Sequence, residues 1–326
     1  MISFLLHGLF YIWGGAVIIG TLIPLMREQT YWLRAWTYAR LQMLALSIIS
    51  IAVLLWGLGL TPLLHKILMG GFIFCIGICL WDIIPFTRLW HKQVPTLRSG
   101  EPHIAIKIFV GNVLMENEDT SAFLAQIKQA DADIVFLAET NARWREGLSE
   151  LEAAYPHRHL LPLEAHNGML FYSRFPILDT QERYLVQDHI PSLTLKLDVG
   201  YFEPLTFYGV HPRPPRPEDA TKFLDQELLF VANEAGHVSA PTIVTGDLND
   251  VGWSSTTKRF LRTSGLGDPR KGRGLYNSYN AKNLIVRWPL DHLFHSRHFK
   301  LIKMRRLPAS GSDHFPLLIE LGLVKE

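Results

Sequence analysis

The sequence predicts an α/β domain, with a mixed sheet or two sheets covered by helices, behind an N-terminal helical membrane anchor. Three observations carry this expectation. Long uncharged apolar runs fill most of the first 86 residues. From residue 103 onward, stretches of strand-like alternation are interleaved with stretches of helical spacing. Towards the C-terminus strand follows strand, which suits a mixed sheet or a pair of sheets. At 326 residues the chain is long enough for two such parts.

The anchor comes first, over residues 1–92. Residues 2–26 contain no Asp, Glu, Lys or Arg, and that length exceeds the ~20 residues a helix needs to cross the hydrocarbon core. A cleaved signal peptide is the competing reading. However, the run is long for such a segment, lacks a basic start, and is followed by two more, at 41–60 and from 67 through Phe86. Three transmembrane helices are expected, with Thr61–Lys66 as a tight turn around Pro62. Tyr31, Trp32, Trp36 and Tyr38, mixed with Arg34 and Arg40, suit an interfacial segment. Asp82, near the end of the third span, is expected to reach the interface. The arginines of the 27–40 loop, with Arg88, Lys92 and Arg98, place the first loop and the C-terminal domain in the cytoplasm by the positive-inside rule. The margin is small, because the other loop has only Lys66.

Residues 93–102 read as a Pro/Gly-containing linker, and the soluble domain as 103–326. His103–Val113 alternates as a strand ending at Gly111-Asn112. Thr120–Gln129 has helical spacing. Ile134–Leu137 is a buried strand ending at Glu139, and Trp144–Ala154 reads as helix. Met169–Tyr172 follows the Asn167-Gly168 turn as a strand, and Ser192–Val199 and Leu205–Val210 are further strands, the last ending at His211. The Pro-rich stretch after it leads into a helix from about Glu218 to Gly236. A basic loop, Lys258–Arg273, precedes strands from Asp291, near Lys300–Leu307, and over Phe315–Leu321.

Charge is unevenly spread. Residues 1–99 hold seven Lys/Arg and two acids, leaving 25 basic and 28 acidic residues in 100–326, a formal net of −3. A domain that grips long nucleic acid normally has a basic excess. Both cysteines, Cys75 and Cys79, lie inside an apolar run, so the polar part has no disulfide framework.

The chemistry gathers at Thr242–Asp250. Ile243–Thr245 form a short strand, Gly246 lets the backbone turn sharply, and Asp247 and Asn249 follow at its tip. Alone, this stretch could be an Asx-rich turn. Its context argues otherwise. Asn112, Glu139, His211, Asp291 and the Ser312-Asp313-His314 triplet also lie at or beside strand ends, where α/β folds place ligand clefts. Oxygen ligands without sulfur suit Mg²⁺ or Mn²⁺ rather than zinc.

The ordered segments NV (112–113), DIVFLAE (133–139), NGMLFYSRFPI (167–177), VHP (210–212), GDLND (246–250), PLDHLFHS (289–296) and GSDHFPL (311–317) resemble the successive motifs of the endonuclease/exonuclease/phosphatase superfamily. The resemblance spans about 104–321, and the full chain is similar to the membrane-anchored bacterial branch. It implies a four-layer αββα sandwich of two mixed sheets flanked by helices. It also implies roles. Glu139 is the main metal ligand with Asn112 beside it, and the ion is Mg²⁺ or Mn²⁺. His314 is a general base or a phosphate-polarising imidazole held by a carboxylate. Asp247 orients or activates water, and Asn249 contacts the phosphate. His211 acts on the departing or bridging oxygen. Asp291 supports a histidine, and Asp313 supports metal or nucleophile. The family usually has Gln before the glutamate, where this chain has Ala138.

Three functions follow as alternatives. The first is a membrane-tethered, metal-dependent phosphoesterase hydrolysing a phosphate ester or pyrophosphate, including a lipid-linked one, by in-line attack of water. The second is a nuclease on DNA or RNA, and the third a non-enzymatic membrane interaction module. The anchor favours the first, because tethering raises the local concentration of a membrane substrate. The net charge disfavours the second. The basic residues Lys258, Arg259, Arg262, Arg270, Lys271 and Arg273 are the best argument for nucleic acid, or read instead as a solvated loop or an anionic head-group site. The expected partners are the lipid bilayer and a phosphorylated substrate, with no protein partner evident. The expected location is the bacterial plasma (inner) membrane, as a multi-pass protein.

Overall fold

The computed structural model describes residues 2–26, 30–216 and 222–324. The chain folds as two compact units, one running up to Trp90 and including Pro215 and Arg216, the other beginning at His91.

The first unit contains α1 (Ile2–Leu22), α2 (Tyr31–Tyr38), α3 (Arg40–Val53) and α4 (Leu63–Ile83). Its three apolar stretches, Phe4–Leu25, Arg40–Leu58 and Leu63–Phe86, are long enough to cross a membrane. The third begins at Leu63, so the expected turn of six residues shrinks to Thr61-Pro62. Proline suits a helix start, where its missing N–H goes unneeded. Arg27, counted in the first loop, lies outside the described residues. Asp82 is buried, and its Oδ2 lies 2.9 Å from Arg40 Nε, while Arg40 Nη1 donates to Thr21 O at 2.7 Å. Removing one partner of a buried ion pair typically destabilises by roughly 3–5 kcal/mol, because the other charge is stranded. Asp82→Ala is therefore expected to lower the thermal midpoint in detergent clearly, and the Arg40→Met/Asp82→Leu double variant to recover most of it. A midpoint unchanged in Asp82→Ala would remove the pair from the account.

In the second unit the elements run β1 (His103–Asn112), α5 (Thr120–Ala130), β2 (Ile134–Ala138), α6 (Ala142–Gly147), β3 (His157–Leu161), β4 (Met169–Ser173), β5 (Ile177–Arg183), β6 (Ser192–Leu197), β7 (Leu205–Gly209), α7 (Lys222–His237), β8 (Thr242–Asp247), α8 (Ser255–Ser264), β9 (Asp291–His295), β10 (Phe299–Arg306) and β11 (Leu317–Val324). They make two mixed sheets, one ordered β10-β11-β1-β2-β4-β3 and the other β5-β6-β7-β8-β9. The inner faces meet in one apolar core that includes Ile106, Ile108, Phe136, Phe171, Leu195, Phe207 and Ile319. Outside the first sheet, Phe123 and Ile127 of α5 and Trp144 of α6 pack on Phe109, Val135 and Leu137. Outside the second, α7 and α8 place Leu228, Val231 and Phe260 on Tyr208, Val244 and Phe294. The result is a four-layer αββα sandwich.

Several local expectations change. The helix expected over Trp144–Ala154 is α6 followed by a short 3₁₀ turn, Ser149–Ala153. The loop expected at Lys258–Arg273 opens instead with α8. Ser254 caps it by accepting from Thr257 N, and Gly265 ends it with φ of 67°. Glu218, the expected start of the helix seen as α7, lies outside the described residues. The stretch expected as a linker contributes to the fold. Val94 is buried in the inter-sheet core, and Leu97 N donates to Leu301 O at 2.9 Å.

Inside the α7 layer, Glu227 is buried and accepts from Ser192 Oγ at 2.9 Å. Burial pushes its carboxyl up from 4.5 to about 7. Between those values the folded protein holds a proton that the unfolded chain releases. This contribution is therefore full below pH 4.5 and is lost as pH rises through about 7. Measured against wild type, Glu227→Gln should gain stability on going from pH 4 to pH 8, by on the order of 3 kcal/mol. A pH-independent difference between the two proteins would contradict this.

Candidate active site

The site is assembled at strand ends. β1 and β2 run parallel, with Asn112 opposite Ala138, so Asn112 and Glu139 leave neighbouring strands side by side. Glu139 adopts a left-handed conformation, φ 60°. The turn that follows it is held by Thr140 N donating to Gly168 O, and by Leu163 N donating to Thr140 O. A Cβ at Gly168 would sit 1.8 Å from Thr140 O, so only glycine allows this approach.

The second sheet repeats the arrangement. β7 and β8 are parallel, Val210 N donates to Thr245 O at 3.0 Å, and His211 follows immediately. Gly246 has φ of 144°, and a Cβ there would lie 1.9 Å from Val210 O. That contact brings the His211 end of β7 against the Asp247 end of β8. β9 runs antiparallel to β8 with Asp291 opposite Asp247. Finally, Ser312 Oγ donates to Asn112 O at 2.8 Å and accepts from His314 N, fixing the segment before β11 over the same opening.

The side chains converge on Asp247. His314 Nε2 lies 3.5 Å from Asp247 Oδ2, and His211 Nδ1 lies 3.9 Å from the same oxygen. Asn112 Nδ2 donates to Asp247 Oδ2 at 3.1 Å and to Glu139 Oε1 at 2.7 Å. Its Oδ1 accepts from Leu114 N. His211 Nε2 is 3.6 Å from Glu139 Oε1. Asp291 Oδ2 is 2.7 Å from His314 Nδ1. Asn249 N donates to Asp247 Oδ1 at 2.9 Å, while its amide donates to Pro212 O at 3.0 Å. Asn112, His211, Asp247, Asp291 and His314 are buried, and Glu139 keeps 17% side-chain exposure, towards the mouth.

This packing sets the charges. Burial works against a proton on His314, but the carboxylates of Asp291 and Asp247 outweigh it and push the imidazolium up to about 10. Burial also opposes the charge of Asp247, yet the His314 and His211 imidazoles hold its carboxyl below the usual range. Half-buried Asp313 is shifted the other way, by burial and by the nearby Glu139 carboxylate. Glu139, His211 and Asp247 offer ligand atoms within 4.8 Å of one another, and so do Glu116, Glu139 and His166. Crowded carboxylates of this kind suit a divalent cation between them.

All the residues expected at the site are thus brought to one opening. Three others there carried no sequence signal. Glu116 and His166 come from loops, His166 lying 3.5 Å from Glu139 Oε2 and 3.1 Å from Glu116 Oε1. Tyr279 sets its ring 5.0 Å from that of His314. The six residues of the basic run do not form one surface. Lys258, Arg259 and Arg262 are exposed on α8, whereas Arg270 is fully buried, forked onto Asp268 at 2.8 and 3.0 Å. Arg270 also meets His292, whose proton is driven off by burial and by that guanidinium, to about 3. Arg273 donates to Val94 O and Pro269 O.

A cleft of carboxylates and imidazoles at the ends of two facing sheets defines a hydrolase acting on phosphoester bonds. The chain belongs to the Endonuclease/Exonuclease/phosphatase family, which it matches over residues 111–314. No curated protein matches it. Among solved structures it is similar to an endonuclease/exonuclease/phosphatase from Beutenbergia cavernae, at 17% identity and TM-score 0.56, covering 68% of this chain and 72% of that one. A family protein from Bacteroides thetaiotaomicron gives 16% identity and TM-score 0.56, covering 69% and 100%. The human Nocturnin catalytic domain with bound sulfate gives 17% and 0.53, covering 68% and 95%.

Proposed function

We propose that this protein is a membrane-anchored, divalent-metal-dependent phosphoesterase that hydrolyses a phosphate ester or pyrophosphate by in-line attack of water. The observation that carries the reading is the continuous Asp291–His314–Asp247 array facing Glu139 and His211 across one cleft. Three long apolar helices in the same chain support a membrane location, and the bacterial inner membrane is the setting that fits them.

Glu139 would hold the cation with Asp313 beside it, and Mg²⁺ or Mn²⁺ suits such oxygen donors. Asn112, which turns its Nδ2 to Glu139 and Asp247 and its Oδ1 to Leu114 N, would position those carboxylates. When bound, the cation neutralises charge on the phosphoryl oxygens. The chain's own groups do the rest. A His314 held protonated by two carboxylates is a poor general base at neutral pH, which favours its other role, donating from Nε2 to a phosphoryl oxygen. Asp291 keeps that ring oriented. Asp247, kept ionised, orients the attacking water. His211 faces the departing or bridging oxygen. Asn249 holds the tip of β8 through Pro212 O and presents it to the phosphate.

The test is a parallel assay of the full chain in detergent with Mg²⁺, against a polyprenyl pyrophosphate, nucleotides and plasmid DNA, with and without EDTA. Phosphate release from the small or lipid substrates, abolished by EDTA, is expected. Nicked plasmid without phosphate release would replace this reading with a nuclease.

A further inference from the structure

The segment between Ser278 and Asp291 grows directly out of the catalytic rim. Tyr279 and Trp288 pair backbone to backbone, and their rings stack at 5.9 Å with an interplanar angle of 17°. Tyr279 also bridges to the His314 segment, and Ala281 N donates to Asp313 O at 2.7 Å. The stem of this loop therefore forms part of the site wall. Its tip is a different kind of surface. Leu284 is 83% exposed and Ile285 78%, the two most exposed aliphatic side chains among the described residues of the second unit.

Nothing about the tip is slack. Asn283 Oδ1 accepts from Ile285 N at 2.8 Å and from Val286 N at 3.0 Å, and Asn280 Oδ1 accepts from Lys282 N at 2.7 Å. Arg287 Nε donates to Asn283 O at 2.7 Å, and its guanidinium lies over the Phe315 ring at 5.1 Å. Loop tips are ordinarily polar, and Asx turns are one way of building them. Here the Asx turn presents adjacent Leu and Ile side chains to the outside. Lys282 is exposed beside them, and Arg287 and Trp288 stand at the base. An aliphatic tip, flanking cations and an interfacial aromatic form the order in which a bilayer presents acyl chains, anionic head groups and the polar boundary.

We propose that the 279–288 loop is a lipid-docking element that inserts Leu284 and Ile285 among lipid head groups, so that the cleft meets a phosphate carried on a membrane amphiphile. The substrate-class half of the proposal rests on the phosphoesterase reading of the cleft. The docking half does not. Because Tyr279 touches both the loop and His314, docking and site geometry are joined by one side chain.

The experiment uses the full chain in phosphatidylcholine/phosphatidylglycerol nanodiscs, with Cys75 and Cys79 replaced by Ala. A single cysteine is introduced as Leu284→Cys, or as Ser121→Cys on α5 for a control, and labelled with an environment-sensitive fluorophore. The label at 284 is expected to shift to the blue and to be quenched several-fold more by head-group nitroxide lipids than the label at 121. Equal quenching at both positions, or a water-like spectrum at 284, overturns docking. In a second arm, the Leu284→Ser/Ile285→Ser variant is expected to lose on the order of ten-fold in turnover of polyprenyl pyrophosphate in the bilayer. Its turnover of water-soluble p-nitrophenyl phosphate should be unchanged. Equal losses on both substrates overturn the substrate class. Quenching at the 284 label, together with a wild-type protein inactive on every phosphoester, supports docking while removing the phosphoesterase reading.

Discussion

His314→Ala is expected to lower kcat by a factor on the order of 10²–10⁴, the range of positioned acid–base and electrostatic groups. Its ring is buried, but it lines the cleft and does not fill a core. Its loss leaves the buried carboxylates of Asp291 and Asp247 without their shared partner, so the melting temperature should fall as well, and the drop in kcat of the folded protein is the quantity that reports its role. His211→Ala should give a loss of similar size. Both imidazoles face the same oxygen of Asp247, at 3.5 and 3.9 Å, so on the proposed reading, in which they serve one transition state, their effects should not add. The double variant should lose less than the product of the single losses. Fully additive losses would assign the two rings to separate steps. A lost melt with intact kcat would make them structural.

Glu139→Ala should abolish turnover at limiting Mg²⁺ and leave a residue of activity at high Mg²⁺, with the fold intact. Its carboxylate stands at the end of an apolar strand and crowds Asp313, whose proton affinity it raises. Removing it relieves that repulsion, so thermal stability should hold or rise slightly, as at many functional positions. A Mg²⁺ titration of turnover beside a melting curve reads both quantities. Wild-type turnover at limiting Mg²⁺ would move the metal elsewhere.

The strands that carry the site were legible because they are buried on both faces. Ile134–Leu137, Leu205–Val210 and Ile243–Thr245 read as short strands each followed by a polar residue or a turn, and the strands Ile134–Ala138, Leu205–Gly209 and Thr242–Asp247 end within two residues of them. The sheet margins were not legible. β3, HRHLL, and β5, ILDTQER, lie at edges and carry charge along their exposed sides, which blurs the alternation. α8 was hidden by its basic residues, although Phe260 and Leu261 mark its buried face. Glu116, His166 and Tyr279 reach the cleft from loops, where spacing along the chain says nothing of position in space. The Asp82–Arg40 pair escaped for the same reason, since its partners are 42 residues apart in sequence.

β1 is hydrogen-bonded to β11 over most of its length, from His103 opposite Val324 to Val110 opposite Leu317. On a ribosome the chain is made in one direction, so the strand that ends in Asn112 emerges some two hundred residues before its neighbour exists. Until residue 324 has been made, one edge of β1 and the inner face of its half-sheet stay open. During that interval the nascent protein is most exposed to mispairing and to capture by chaperones. Stalling synthesis just short of β11 should therefore yield chains that are protease-sensitive throughout the second unit, whereas release of the last dozen residues should confer resistance in a single step.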